Sequence, residues 1–281
     1  MNQTDTPFVS VIVPVYNDGR GLRRCLEALE QQTHPRDRYE VIVVDNGSDP
    51  DEQIPAIVSD FQQTVYGFEH QPGSYSARNR GIELAQGSVL AFTDADCIPD
   101  RHWLEKGVKV LLNYPDAGFV AGRIEVSFQN PAQPTAIELF ESLWSLPQQE
   151  FVEKEHFGAT ANLLTLATVM QQVGTFNGAL KSSGDMEWGQ RVYRAGCQPI
   201  YGSDVVITHP ARRSLKQLHS RARRVTGGRY DLQRSQPFLK RNLKFLLDLL
   251  KYLVAPILMM PINLVDDRLK TIPQKIQVSL V

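Results

Sequence analysis

The sequence of 281 residues predicts an α/β protein with a mostly parallel central sheet flanked by helices, followed by a helical C-terminal extension. Apolar runs rich in β-branched residues alternate with segments of helical periodicity over the first hundred residues, which is the pattern of βαβ units. The predicted strands are apolar almost throughout, as expected of parallel strands that helices cover on both faces. Both observations favour an open parallel sheet.

The element pattern is clearest before residue 97 and looser after it. Predicted strands cover residues 8–16, 39–44, 64–69 and 88–93. The helices expected between them cover residues 20–32, 51–62 and 74–85. Later helices are expected at residues 100–112, 135–146 and 182–196, and extended segments at 117–128, 158–164 and 200–208. Helical spacing of apolar residues, N-cap residues and terminal glycines support these assignments.

Polar clusters follow three of the predicted strands. They are Tyr16-Asn17, Asp45-Asn46-Gly47-Ser48, and the pair Asp94 and Asp96. In open α/β sheets, ligands bind at the carboxyl ends of the strands. Three separate loops are therefore expected to meet at one crevice.

Asp94 and Asp96 stand at alternate positions, so both carboxylates can face one partner. Two carboxylates that close repel each other unless a cation lies between them. Hard oxygen ligands suit Mg²⁺ or Mn²⁺, which commonly bridge to a substrate diphosphate. The pair predicts a metal site, and the alternative is a polar loop after a strand.

Residues 72–81 form a glycine-bounded helix start that carries Arg78 and Arg80. A helix N-terminus and an arginine both favour an anion, although a solvated helix face is the alternative. The first strand is not followed by Gly-x-Gly-x-x-Gly, which argues against a dinucleotide-dependent dehydrogenase. A Gly-Lys-Ser/Thr phosphate loop is also missing from the sequence.

Charge is distributed unevenly along the chain. Residues 1–211 carry 15 basic and 27 acidic side chains, whereas residues 212–251 carry 12 basic and 2 acidic ones. The basic segment suggests an anionic partner.

The three cysteines form no Cys-x-x-Cys pair, so a zinc site or disulfide framework is not expected. A reducing compartment is expected instead. Residues 1–7 lack a signal-peptide pattern, and a cytoplasmic location is expected.

Five short motifs follow one another between residues 8 and 210. They are Val11–Asn17, Val43–Ser48, Ser76–Gly81, Asp94–Asp96, and the paired segments Val173–Asn177 and Gly184–Trp188. In this order and spacing they resemble the motifs of the family 2 glycosyltransferases, which have the GT-A fold. The resemblance implies a GT-A catalytic domain at residues 1–211, with a nucleotide-binding half at 8–97 and an acceptor-binding half at 98–211. Residues 212–281 form the tail.

The resemblance also implies a role for individual residues. Donor-binding positions are Pro14, Tyr16, Asn17, Asp45 (facing the base), Asn46, Arg78 and Asp94 (near the ribose and metal). Asp94, Asp96 and His209 are the implied ligands of Mn²⁺ or Mg²⁺, although His209 could also be an ordinary loop histidine before Pro210. Asp185 aligns with the general base. Acidic residues in a first helical turn are otherwise common as caps and dipole partners.

One position departs from the family pattern. The family usually has an acidic residue directly before the base, and Gly184 stands there. Glu187 is a second carboxylate two residues beyond Asp185. We prefer Asp185, because Glu187-Trp188 matches the acidic and apolar pair that follows the base in many members.

The implied function is inverting, metal-dependent transfer of a hexosyl-type sugar from a nucleotide-diphosphate donor, expected to be a UDP-sugar. The acceptor would be a hydroxyl of a saccharide or lipid-linked molecule in polysaccharide or glycolipid biosynthesis. The alternatives are a sugar-phosphate nucleotidyltransferase, against which the lack of a glycine-rich loop with an arginine after the first strand counts, and a non-catalytic nucleotide-sugar-binding membrane protein. No nucleic-acid partner is expected, because no binding motif is visible.

The tail predicts a basic helix over residues 215–234 and an apolar segment over residues 245–265. Its uncharged core, residues 252–265, has 14 residues, whereas about 20 are needed to span a bilayer. We therefore expect peripheral contact of residues 212–265 with the inner face of the cell membrane. A full span, packing on the catalytic domain, and a homodimer interface remain alternatives.

Overall fold

The computed structural model describes residues 6–232, 266, 268–279 and 281. The chain divides into two compact units, one of Met1–Glu125 with Leu146–His209 and the other of Val126–Ser145 with Pro210–Val281. The predicted domain boundary at residue 211 stays a prediction. The contacts add that residues 126–145 group with the tail rather than with the residues around them in sequence.

A sheet of eight strands organises the fold, in the order β3-β2-β1-β4-β7-β6-β8-β5. The strands are β1 (Val9–Val15), β2 (Tyr39–Asp45), β3 (Thr64–Phe68), β4 (Val89–Thr93), β5 (Ile98–Pro99), β6 (Ala117–Ser127), β7 (Asn162–Leu166) and β8 (Gln198–Pro210). Strands β1 to β4 pair in parallel, with Val11 opposite both Val41 and Ala91. Strand β7 pairs antiparallel with β4 and β6, and β8 pairs antiparallel with β5. The predicted α/β fold class is confirmed.

The structure describes helices in both units. They are α1 (Gly19–Glu30), α2 (Ile54–Ser59), α3 (Ser74–Leu84), α4 (Trp103–Asn113), α5 (Ala136–Trp144), α6 (Gln148–Glu150), α7 (Ala167–Val173), α8 (Gly184–Arg194), α9 (Leu215–Leu232) and α10 (Ile272–Ser279). The helix predicted over residues 51–62 is shorter than expected. A 3₁₀ turn at Pro50–Glu52 ends at Gln53, whose φ of 52° is left-handed, and α2 starts anew with Pro55 at its beginning.

Two apolar layers bury the sheet of the first unit. On one face, α1 and α4 contribute Leu22, Leu26 and Trp103 to a cluster with the buried side chains of β1 and β2. The other face holds a cluster centred on aromatic side chains: Tyr75, Phe92, Phe119, Phe176 and Trp188. The residues of β1, β2 and β4 are nearly all buried, which agrees with their continuous apolar sequence.

The second unit has a smaller core. Leu139 and Leu143 of α5 pack with Leu269 and with Val278 of α10. The Arg212 guanidinium donates to the buried carboxylate of Glu141 at 2.7 Å in the same unit.

The predicted basic helix of the tail is present as α9, as far as it lies in the described residues. None of the helices that the structure describes combines the length and hydrophobicity needed to cross a bilayer. The predicted apolar segment at residues 245–265 lies outside the described residues.

Asn162 joins several elements of the first unit. Its Oδ1 accepts from Trp103 Nε1 at 2.8 Å, and its Nδ2 donates to the carbonyls of Arg123 and Val205 at 2.9 Å each. The side chain is completely buried. A Cβ at Gly122 would lie 2.2 Å from the Val205 carbonyl oxygen, so this junction leaves no room for a side chain there.

We predict that Asn162→Ala destabilises the protein by about 3 kcal/mol or more, because it leaves a buried indole N–H and two carbonyls without their partner. Urea unfolding monitored by circular dichroism measures the change. Asn113→Ala, at the exposed end of α4, is the matched control and should stay within about 0.5 kcal/mol. Equal effects of the two substitutions would contradict this account.

Candidate active site

The polar side chains predicted to converge do follow the ends of parallel strands. Asp45 is the last residue of β2, and Asp94 directly follows Thr93, the last residue of β4. Strand β1 ends at Val15, one residue before Tyr16. Because β1 lies between β2 and β4, these three strand ends are neighbours at one edge of the sheet.

Asn17 ties the loop after β1 to the loop after β2. Its backbone N–H donates to Ser48 Oγ at 2.9 Å, and its side chain exchanges two hydrogen bonds with Asp49, of 2.7 and 3.1 Å. Asn17 has a left-handed φ of 51°, which asparagine tolerates better than most residues. Pro14 is partly buried within β1, whereas the Tyr16 side chain is 65% exposed. These hydrogen bonds therefore hold the loops after β1 and β2 together at the predicted crevice.

Asp45 is a buried acceptor at the end of β2. Its Oδ1 accepts from the Ser48 backbone N–H at 2.9 Å, and its Oδ2 accepts from the Tyr66 hydroxyl at 3.3 Å. Burial and the neighbouring Asp45 raise the pKa of Tyr66, so this hydroxyl stays a donor. The two bonds orient the carboxylate while leaving lone pairs on both oxygens.

Asn46 has a positioning role in the structure. Its Nδ2 donates to the carbonyls of Glu69 (3.0 Å) and Gln71 (2.8 Å), and its Oδ1 accepts from the Gly73 N–H at 2.7 Å. The side chain thus shapes the loop that leads into α3. Its predicted part in donor binding would act through that loop.

Helix α3 carries the two arginines predicted to meet an anion, and the structure gives Arg78 a carboxylate. Arg78 Nη2 forms a short hydrogen-bonded ion pair with Asp94 Oδ1, and the Arg78 side chain is only 4% exposed. Its Nε has no partner among the described residues. The guanidinium carbon also lies 5.7 Å from the centre of the Tyr75 ring. Arg80 instead pairs with Glu83 on the exposed face of the helix.

The neighbouring residues of α3 hold the loop that precedes α8. Asn79 donates through Nδ2 to the Phe176 carbonyl at 2.7 Å and accepts from the Phe176 N–H at 3.0 Å. Ser76 Oγ donates to the Gly178 carbonyl at 3.2 Å. The Ser76–Gly81 motif is therefore a connector between the loop after β4 and the loop before α8.

Asp96 lies beside His209, with 3.7 Å between Asp96 Oδ2 and His209 Nε2. Burial raises the pKa of Asp96; the nearby His209 partly offsets this, while Asp94 and Asp18 raise the pKa further. Donor atoms of Asp96, Cys97 and His209 lie within 4.8 Å of one another. Asp94 is not in that group, and its Oδ1 is paired with Arg78.

This donor set fits a divalent cation. A carboxylate oxygen and an imidazole nitrogen are ligands that Mn²⁺ accepts, and a crowded group of acidic side chains is relieved by positive charge. Asp96 and His209 would hold the ion, with Asp94 beside them. Cys97 is completely buried, and burial raises the pKa of its thiol, so it remains protonated and is a poor ligand.

Asp185 stands in the first turn of α8. Its Oδ1 accepts from the Tyr75 hydroxyl at 3.1 Å and from the Met186 N–H at 2.9 Å. Burial raises the pKa of Asp185, and the Met186 N–H, Arg78 and the Tyr75 hydroxyl each oppose the rise. A carboxylate with a raised pKa accepts a proton more readily than an ordinary aspartate does.

Glu187, the other carboxylate of this turn, is committed to a structural contact. Its two oxygens accept from Arg191 Nε and Nη2 at 3.0 Å each, and Arg191 also donates to the carbonyls of Val173 and Thr175. This clamp closes the turn before α8 onto the helix. Of the two carboxylates, Asp185 is the one available for chemistry.

The structure supplies a physical reason for Gly184. A Cβ at this position would lie 2.7 to 2.8 Å from three atoms of the Tyr75 ring. Any side chain, acidic or not, would collide with that ring. The place next to Asp185 that the family fills with a carboxylate is occupied in this protein by a tyrosine from α3.

Three residues of the site carried no role in the sequence analysis: Tyr75, Asp18 and Cys97. Tyr75 and Asp185 are 110 positions apart, so no local pattern reveals their contact. Asp18 is the N-cap of α1, accepting from the Gly21 N–H, and its charge also reaches Asp96. Because an aspartate at a helix start is explained by its capping role, the sequence gives no sign that Asp18 also acts on Asp96.

The fold is that of the GT-A glycosyltransferases. The mannosyltransferase PcManGT from Pyrobaculum calidifontis, solved in complex with GDP-Man and Mn2+, aligns with a TM-score of 0.62 and 23% identity. The alignment covers 81% of this chain and 63% of that one. Staphylococcus aureus TarS 1-349 aligns with a TM-score of 0.56 and 18% identity, covering 72% and 60%. These likenesses show the fold.

The family follows from sequence comparison. The model described as Glycosyl transferase family 2 matches residues 10–174. Glycosyltransferase AglE of Haloferax volcanii is 39% identical over 211 residues, which cover 73% of this chain and 68% of the relative. A pre-mycofactocin glycosyltransferase of Mycobacterium tuberculosis is 30% identical over 217 residues, covering 74% of this chain but only 44% of the relative. The chain belongs to glycosyl transferase family 2, and the predicted family is confirmed.

We predict that Asp185→Asn raises the stability of the ligand-free protein at neutral pH. A folded-state pKa above the unfolded value adds stability at low pH that is lost as the pH rises through the folded pKa. The neutral amide removes this loss. Thermal unfolding from about pH 4 to about pH 8 should show a gain that disappears at the acid end. Asp116→Asn, at an exposed position, is the control and should change the unfolding temperature little.

Proposed function

We propose that this glycosyltransferase is metal-dependent and inverting, with Asp185 as the general base and Asp94, Asp96 and His209 at the leaving diphosphate. One observation carries the proposal: a single turn of α3 contacts both groups, Asp185 through Tyr75 and Asp94 through Arg78. The proposed base, Asp185, and Asp94 at the leaving group are then both positioned by helix α3. A nucleotidyltransferase or a non-catalytic sensor would have no need of a carboxylate with a raised pKa at Asp185.

The proposed donor is a nucleoside diphosphate sugar whose base carries an imide or amide N–H. Asp45 is an acceptor with lone pairs to spare, and it complements the N3–H of uracil or the N1–H of guanine. We take a UDP-sugar as the first candidate. A GDP-sugar is the second, because the structural neighbour PcManGT was solved with GDP-Man. Asn17, Tyr16 and Pro14 would line the same pocket.

The proposed reaction is a single displacement at the anomeric carbon of the donor. The acceptor hydroxyl attacks from the side opposite the diphosphate, and Asp185 takes its proton, so the anomeric configuration inverts. A divalent cation at Asp96 and His209, when bound, supplies positive charge to the leaving diphosphate. The ion pair with Arg78 orients Asp94 beside that group. His209 lies near the end of strand β8 rather than in a loop, and its side chain is partly buried, which favours an ordered ligand.

The proposed acceptor is a saccharide or a lipid-linked saccharide. Relatives of the chain include AglE. At 20% identity they also include a Methanococcus voltae enzyme named dolichyl N-acetyl-alpha-D-glucosaminyl phosphate 3-beta-D-2,3-diacetamido-2,3-dideoxy-beta-D-glucuronosyltransferase. We also propose peripheral contact of residues 212–265 with the inner face of the cell membrane. Support comes from the exposed basic residues of α9: Lys216, Arg223 and Arg224.

We predict that Asp185→Asn lowers sugar transfer by about 10²–10⁴-fold while leaving nucleotide binding within a few-fold. Release of UDP or GDP from a panel of nucleotide sugars, with Mn²⁺ or Mg²⁺, measures turnover and identifies the donor. Glu187→Gln is the control within the same helical turn, and it should cost stability more than turnover, because Glu187 is bound to Arg191. Wild-type turnover by Asp185→Asn would remove Asp185 from the mechanism.

We predict that Asp96→Ala weakens the Mn²⁺-dependent part of nucleotide binding by about 10-fold or more, because a metal ligand is lost. Calorimetric titration of UDP and GDP, with Mn²⁺ and with EDTA, separates that part from direct contacts. Asp116→Ala, an exposed aspartate before β6, should bind like the wild type. An Asp96→Ala variant that keeps the full Mn²⁺ effect would show that the ion is held elsewhere.

A further inference from the structure

Tyr75 has an unusual position for a residue at a helix start. It is the second residue of α3, and it is 6% exposed. Its ring packs against Phe176, with 5.9 Å between the ring centres, while its hydroxyl reaches Asp185 Oδ1 at 3.1 Å. A side chain with only two rotatable bonds and a packed ring delivers its hydroxyl to one fixed point.

Gly184 makes this arrangement possible. The three ring atoms nearest to a Cβ built at Gly184 are 2.7 to 2.8 Å away, which is closer than real carbon atoms approach. The ring therefore fills the space beside the first turn of α8. The Tyr75 ring can lie there only because residue 184 has no side chain.

The protonation state of Tyr75 decides which group donates in the hydrogen bond between Tyr75 and Asp185. Burial and the neighbouring Asp185 raise the pKa of Tyr75 well above its usual value, although Arg78 lowers it in part. The hydroxyl is therefore protonated at any working pH and donates to the carboxylate. Arg78, which lies on α3 with Tyr75, also acts on Asp185 and opposes the rise of its pKa. On α8, the charges of Glu187 and Arg191 are paired with each other.

We propose that Tyr75 is a positioning residue for the general base: its hydroxyl holds Asp185 Oδ1, and Oδ2 is thereby directed to the acceptor hydroxyl. The inference rests on the proposed function, in which Asp185 is the base. Because Arg78 stands three residues further along α3 and pairs with Asp94, the same turn would set the base relative to the leaving group.

A stability cycle tests the contact without any substrate. The four proteins are the wild type, Tyr75→Phe, Asp185→Asn and the double variant. If the hydroxyl supports the ionised carboxylate, Asp185→Asn should raise the unfolding temperature more in the Tyr75→Phe background than in the wild type at neutral pH. The excess should shrink as the pH falls and the carboxyl becomes neutral, because the raised pKa of Asp185 favours its neutral form in the folded protein. Additive effects at neutral pH would overturn the proposal.

Kinetics then distinguish positioning from simple packing. Tyr75→Phe keeps the ring, so we expect kcat for the donor identified by the panel to fall about 10-fold, with the donor KM within about 2-fold. The acid limb of the kcat profile should move to higher pH, because the carboxylate loses a donor that favours its charged form. Tyr39→Phe is the control: Tyr39 is equally buried and its hydroxyl donates to the Leu29 carbonyl at 2.9 Å, away from the site.

Gly184→Ala supplies an independent variant. The added methyl group should displace the ring and weaken the same hydrogen bond, so combining it with Tyr75→Phe should cost little beyond Gly184→Ala alone. Independent, multiplied losses in kcat would overturn the proposal, as would a Tyr75→Phe profile with an unmoved acid limb. If Asp185→Asn itself retains turnover, the proposed function has failed rather than this inference.

Discussion

The ion pair between Arg78 and Asp94 is the contact on which the site depends. A guanidinium that is 96% buried as a side chain must be compensated within the protein, since water cannot screen it. The pair therefore fixes the start of α3 against the loop that follows β4. Its neighbours Tyr75 and Asn79 then extend the same constraint to Asp185 and to the loop before α8. One turn of α3 thus links the loop after β4 to Asp185, the proposed general base.

This arrangement concentrates negative charge at a cost to the ligand-free protein. Burial raises the pKa of both Asp96 and Asp185, and Asp94 and Asp18 add repulsion at Asp96. Such crowding stabilises nothing by itself, but under the proposed function it would favour a bound cation at Asp96 and a proton acceptor at Asp185. Stability at this edge of the sheet is supplied elsewhere, by the buried parallel strands and by junctions such as Asn162. The proposed function and the stability of this unit thus depend on different residues.

Local sequence signals anticipated some of these features better than others. Strands β1 to β4 and helices α1 and α3 could be predicted from the spacing of apolar residues, because that spacing depends on which faces of a strand or helix are buried. The segment at residues 51–62 was predicted as one helix, yet the left-handed Gln53 divides it. The short motifs marked loops that follow neighbouring strand ends in the structure. They did not reveal that Asn46 shapes the loop before α3, or that the anion met by Arg78 is Asp94.

The sequence by itself determined the fold class, the family and the positions of the polar loops, because all of these depend on periodicity and on short motifs. Tertiary structure alone decided which carboxylate of the first turn of α8 is available, since Glu187 is bound to Arg191 and Asp185 is not. It also explained Gly184, which the motif marked only as a departure. The reason is the Tyr75 ring, which lies more than a hundred positions away in the chain and in direct contact in space.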